Sequence, residues 1–193
     1  MGVRCFISID IIDPHLLARF VKIQRLLEGS GADLKTVETE NTHITLMFLG
    51  EVKESQLVEL TGRITEISFK PFNIEFRGVG VFPSLSKPKV IWAGVSKGLD
   101  QLKPVYEDLE ARISGMGFKL DNKGFSPHVT LARVRSGRNR DKLVKLLRGF
   151  EDEFLGEINV KHIQLKRSIL TPRGPIYSTI TQSRSREEQF EGL

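Results

Sequence analysis

The chain has 193 residues, 39% of them hydrophobic, and its 29 Lys and Arg outnumber 24 Asp and Glu to give a net charge of +5. That length supports one substantial core burying about 70% of the unfolded surface, and the modest positive excess suits an anionic ligand such as nucleic acid as well as a merely basic surface. With Cys5 as the single cysteine and no apolar run of 18 residues, an intramolecular disulfide and a membrane-spanning helix are excluded, and a cytoplasmic protein without a leader segment is expected.

Val3 to Asp10 predicts a strand. Asp13-Pro14 opens a helix, with the acid as N-cap and proline in the first turn. Leu16, Phe20, Ile23 and Leu27 form its apolar stripe, and Gly29-Ser30-Gly31 ends it. Ala32 to Val37 predicts a short strand leading into Asn41-Thr42-His43-Ile44-Thr45-Leu46-Met47-Phe48-Leu49-Gly50, whose alternating apolar positions are those of a half-buried strand. Helical spacing of Leu57, Leu60, Ile64 and Ile67 predicts a second helix over about 53–67, and Phe72 to Phe82 reads as a long strand. After a turn at 83–88, Val90 to Val95 is a strand, and Leu102, Val105, Leu109 and Ile113 mark a third helix. A short extended piece at Phe118-Lys119-Leu120 precedes a strand that begins Ser126-Pro127-His128-Val129-Thr130-Leu131-Ala132-Arg133. Leu143, Leu146, Leu147 and Phe150 mark a fourth helix, Glu157 to Ile169 a long strand, Thr171-Pro172-Arg173-Gly174 a turn, and Pro175 to Thr181 a closing strand. Residues 184–193 read as a polar tail.

His43 and His128 stand 85 positions apart, each in a His-x-Thr frame, and the flanking helices, strands and turns recur at about the same offset. A period this long and present only twice is not a solenoid. It predicts a duplicated α+β chain, a single bilobal unit over 1–183 with repeat halves of about 1–86 and 87–183. A pseudo-two-fold axis between the halves would bring the two His-x-Thr strands face to face across a cleft. The bland alternative is a coincidental β-α-β-β-α-β rhythm.

Side chains two apart on a strand share a face, so His43 projects with Thr45 and His128 with Thr130. Imidazole serves as base or acid near neutrality. Two of them across a cleft can deprotonate an incoming nucleophile on one side and protonate a departing oxygen on the other. The threonine hydroxyls can donate to non-bridging phosphate oxygens, which together meets the needs of in-line displacement at phosphorus without a metal. A metal site is the competing use, yet no carboxylate or cysteine stands near either histidine at ligand spacing. Walker, G-x-G-x-x-G and nucleophile-elbow patterns are missing. His15 and His162 have no partner of their kind and read as surface or satisfied core residues.

His43-Ile44-Thr45-Leu46-Met47-Phe48-Leu49-Gly50 and His128-Val129-Thr130-Leu131-Ala132-Arg133, with Ser126-Pro127 ahead of the second, resemble the paired motifs of the 2H phosphoesterases, in particular the RNA 2',3'-cyclic phosphodiesterase or 2'-5' RNA ligase group. The likeness covers about residues 1–182. It implies a bilobal fold with two antiparallel sheets lining a central cleft and helices outside. It implies hydrolysis of RNA 2',3'-cyclic phosphate ends to 2'-phosphate, tRNA fragments among the substrates, and ATP-independent 2'-5' joining as the reverse type of reaction. No cofactor or metal, no membrane partner and a monomeric chain are expected. By the resemblance His43 is the proton donor and His128 the proton acceptor, while Thr45, Thr130 and Arg133 bind phosphate. Unbroken alternation from His128 sends Arg133 to the apolar side, so it reaches the phosphate only if the strand bends. Its repeat counterpart, Phe48, reads as core, with a role beside the nucleobase as the alternative. Arg135, Arg138, Arg140 and Lys142 could bind an RNA backbone or form a solvated face. A phosphodiesterase of small cyclic nucleotides and a non-catalytic RNA-end-binding protein are the rival readings.

Overall fold

The computed structural model describes residues 2–118, 124–172 and 174–185. In chain order these form β1 (Gly2–Asp10), α1 (Pro14–Glu28), β2 (Leu34–Thr36), a 3₁₀ turn (Thr39–Asn41), β3 (His43–Lys53), α2 (Glu54–Thr65), β4 (Ser68–Phe69), β5 (Phe72–Phe82), β6 (Val90–Lys97), α3 (Leu99–Ile113), β7 (His128–Val134), α4 (Arg140–Arg148), β8 (Phe154–Val160), β9 (Gln164–Thr171), β10 (Gly174–Gln182) and β11 (Arg184–Ser185). The helix starts follow local chemistry. Asp13 Oδ1 accepts the Leu16 N–H at 2.7 Å, which satisfies one of the orphan donors of the first turn of α1.

One antiparallel path runs β10-β9-β1-β3-β7-β6-β5-β8, with β2 added beside β7. It is two half-sheets rather than one even surface. β3 and β7 meet at a single ladder pair, Ile44 with Val129, whereas every other neighbour on the path is joined by four or more. The two sheets expected from the sequence are therefore joined at their inner edges by that one pair.

The half-sheets are not built from consecutive halves of the chain. β9 and β10, late in sequence, complete the sheet of β1 and β3, while β5 from the earlier part pairs with β6 and β8. This explains why the single long strand expected over 157–169 is two strands. β8 pairs with β5 and β9 with β1, so the chain leaves one half-sheet and enters the other between them. Ser183 anchors this crossing, its Oγ accepting the Ile163 N–H at 2.9 Å. Arg184 and Ser185, expected in a polar tail, instead pair in parallel with Ser68 and Phe69. Residues 186–193 and Lys119-Leu120 of the expected extended piece lie outside the described residues, as does Arg173 of the expected turn.

The helices cover the apolar face. Leu16, Phe20, Ile23 and Leu27 of α1, Leu60 and Ile64 of α2, Leu102, Val105, Leu109 and Ile113 of α3, and Leu143 and Leu147 of α4 are buried in one core with Ile44 and Val129. Each such side chain contributes about 1.5–3 kcal/mol. α1 packs on β7 and β8, and α2 on β3, β9 and β10. The opposite face of β3 and β7 is left open. Among the described residues no helix is long and apolar enough to cross a membrane.

Candidate active site

The Ile44–Val129 pair sets the register of the site. In an antiparallel ladder, residues on either side of an opposed pair face each other across the strands. His43 therefore stands across from Thr130, and Thr45 across from His128. Ile44 and Val129 point into the core, so these four residues point together to the open face, where all are partly exposed. The strands thus bring two imidazoles and two hydroxyls into one two-by-two array.

Both strands then break their alternation at the same place. Ile7 pairs with Met47 and Ser8 with Thr45, leaving Leu46 as an extra residue. Ile91 pairs with Ala132 and Trp92 with Thr130, leaving Leu131 extra. These bulges stand 85 positions apart, like the histidines. Each buries two consecutive apolar residues, Leu46-Met47 and Leu131-Ala132, and returns the next side chain to the open face. Arg133 accordingly reaches the site's face and is exposed. Phe48, expected in the core, is instead 62% exposed on that face. Reading the strand as an unbroken alternation misplaces it.

Each histidine has one nitrogen fixed. His43 Nδ1 lies 2.7 Å from the carbonyl oxygen of Asn41, and His128 Nδ1 lies 2.7 Å from that of Ser126. A carbonyl only accepts, so both Nδ1 atoms carry the proton and each Nε2 is left with its lone pair. His43 Nε2 meets Thr45 Oγ1 at 3.0 Å, whereas His128 Nε2 has no hydrogen-bond partner among the described residues. Aromatic rings hold both imidazoles. Tyr177 stands edge-on to His43 at 5.4 Å and Phe82 edge-on to His128 at 5.0 Å. Phe6 links His43, Tyr177 and Phe48, with centroids at 5.0, 4.8 and 6.2 Å.

Asp10, paired with His43 across β1 and β3, binds Lys166 Nζ at 2.5 Å. The lysine side chain is 9% exposed and the aspartate side chain 21%. Ser8 Oγ donates to the other Asp10 oxygen at 3.3 Å. Burial pulls the His43 pKa below 6.5; the Asn41 carbonyl and Asp10 oppose that, while Lys166 and His128 add to it. Burial raises the pKa of Tyr177, and Arg133 and Arg4 oppose the rise, so the phenol keeps its proton at neutral pH. Tyr177, Asp10, Lys166 and Phe6 carry no motif signal, because they arrive from β1, β9 and β10 by topology alone.

His15 is exposed on α1, and His162 Nδ1 donates to the Ser183 carbonyl at 2.9 Å, so neither joins the array. Arg140 bonds the Ser86 carbonyl at 3.2 Å and pairs with Asp141. Among the described residues no three His, Cys, Asp or Glu side chains are grouped to hold a metal ion.

The family model for LigT-like phosphoesterases matches residues 11–92 and 94–177. The chain is 43% identical over 165 residues to the RNA 2',3'-cyclic phosphodiesterase of Aeropyrum pernix, covering 86% of this chain and 94% of that one. It is 38% identical to the protein of the same name from Archaeoglobus fulgidus, covering 92% and 97%. Among solved structures, Escherichia coli LigT in its apo form superposes with a TM-score of 0.78 at 21% identity, covering 95% of this chain and 98% of that one. The Thermus thermophilus protein TT0787 superposes at 0.75 with 27% identity, covering 93% and 96%. By the extent of the family match and by relatives aligned along most of their length, the chain belongs to the LigT-like phosphoesterase family.

Proposed function

We propose that the chain hydrolyses the 2',3'-cyclic phosphate at an RNA end to a 2'-phosphate, with His43 and His128 as its only proton carriers and no metal. The observation that carries this reading is the two-by-two array about the Ile44–Val129 pair, with both Nδ1 atoms held by carbonyls. The names of the Aeropyrum and Archaeoglobus relatives support the substrate.

In the proposed step, a water oxygen attacks phosphorus while His128 Nε2, which has no hydrogen-bond partner among the described residues, takes the water's proton. The P–O3' bond breaks and His43 Nε2–H gives its proton to the departing O3', leaving a 2'-phosphate. Exchange with solvent returns both rings to their starting states. Thr45 and Thr130 donate to the non-bridging oxygens, and Arg133 at the edge of the array adds positive charge. Burial favours neutral His43 in the free protein. The phosphate anion acts the other way, so substrate binding draws a solvent proton onto His43 Nε2, and His43 then gives that proton to O3'. Phe48 offers its face to the nucleobase. Joining RNA ends through a 2'-5' bond without ATP uses the same step with a 5'-hydroxyl in place of water: His128 Nε2 takes the hydroxyl proton, the P–O3' bond breaks, and His43 gives its proton to O3'. All of these groups come from one chain, so a monomer suffices, acting on RNA ends such as those of tRNA fragments in the cytoplasm.

The test is turnover of adenosine 2',3'-cyclic phosphate in EDTA with the product isomer resolved. The expected result is 2'-phosphate formed at an undiminished rate. Loss of activity on chelation, or a 3'-phosphate product, would overturn the reading.

A further inference from the structure

The ladder between β2 and β7 places Lys35 directly opposite Arg133. Like charges directly opposed across two strands are destabilising, and here both side chains are exposed. Neither makes an ion pair or a side-chain hydrogen bond among the described residues. One step along the same face the ladder is complementary: Asp33 stands beside Arg135, whose N–H donates to the Asp33 carbonyl at 2.9 Å. Among the described residues this pair of like charges is uncompensated, and it has a particular place.

That place adjoins the reacting centre. The bulge at Leu131 brings Arg133 onto the face of His128 and Thr130, two ladder steps from Thr130, or about 7 Å. Lys35 leans the same way: a Cβ on Gly174 would sit 3.7 Å from its Nζ, at the turn end of the β9–β10 hairpin that carries Tyr177. Arg133 in turn acts electrostatically on Tyr177. Two cations thus converge on one side of the array, beyond His43. At the other end the same register position is held by Phe48, which is apolar.

We propose that Lys35 and Arg133 form a subsite for the phosphodiester that joins the terminal nucleotide to the rest of the chain. This rests on the cyclic phosphodiesterase reading and narrows its substrate to a polynucleotide end rather than a mononucleotide. An anion between the two side chains removes their mutual repulsion, and the unlike ends of the array, Phe48 and the cation pair, give the strand one polarity.

The experiment compares kcat/KM for adenosine 2',3'-cyclic phosphate with that for the ApA dinucleotide ending in the same cyclic phosphate, which adds one phosphodiester. The wild-type chain is expected to favour the dinucleotide at low salt. In Lys35→Ala the dinucleotide-to-mononucleotide ratio falls about three- to tenfold, Lys35→Arg restores it, and the salt dependence of that ratio weakens by about 0.7 in log–log slope. No wild-type preference for the dinucleotide, or a ratio unchanged in Lys35→Ala, overturns the subsite. If the wild-type chain turns over neither substrate, the hydrolytic reading itself fails, a result separate from the other two.

Discussion

The buried ion pair behind His43 offers a test in which two opposite substitutions must move one ring in opposite directions. Lys166 holds the His43 pKa down and Asp10 holds it up. Lys166→Met therefore raises the titration midpoint of His43, and Asp10→Asn lowers it. Both also cost stability. With side chains only 9% and 21% exposed, removing one partner leaves the other charge nearly buried, at about 3 kcal/mol. For a chain of this size that is a fall in Tm of about 6–12 °C. The double variant, which leaves no lone charge, should lose less than Lys166→Met alone. NMR titration of the His43 ring proton reads the first effect, and calorimetry reads the second. Midpoints that shift in the same direction in both single variants would refute the assignment of these two groups as opposing influences.

His43 also predicts a pH dependence of stability. Its pKa in the folded chain is below the ordinary value of about 6.5, so below that pH the unfolded chain binds a proton that the folded chain resists. Its stabilising contribution is therefore present above about pH 6.5 and lost as pH falls towards the folded-state value. Urea midpoints of His43→Asn should accordingly change less between about pH 7.5 and 5.5 than those of the wild-type chain; equal slopes would contradict it. Phe48→Ala should raise KM by a factor of about 5–150, the worth of one stacked base at about 1–3 kcal/mol, with kcat held and Phe48→Trp near wild type. A change confined to kcat would place the ring elsewhere than under a base.

The two His-x-Thr strands are legible in the sequence because each places a polar pair on one face of an otherwise apolar strand, and the shared offset of 85 ties them together. The helices are legible for a similar reason, from the stripe of Leu16, Phe20, Ile23 and Leu27 and the Asp13-Pro14 start. Strict alternation misplaces Phe48 because it assumes an unbroken strand, and the bulge at Leu46 leaves no mark in an apolar run. The same kind of bulge, at Leu131, brings Arg133 to the open face. The residues over 157–169 read as one strand because their apolar positions run on past the point where the chain changes half-sheet; that exchange depends on long-range pairing with β5 and β1. Tyr177, Lys166 and Asp10 reach His43 from distant segments, so no local spacing announces them.

In the proposed reaction His43 and His128 act as one unit on a single phosphorus. Single-turnover rates on an RNA end bearing a 2',3'-cyclic phosphate, measured in EDTA for His43→Ala, His128→Ala and the double variant, test it most directly. The expected result is a fall of about 10²–10⁴ for each single change and little further loss in the double, since either gap already stops the relay. Wild-type turnover in either single variant would contradict it.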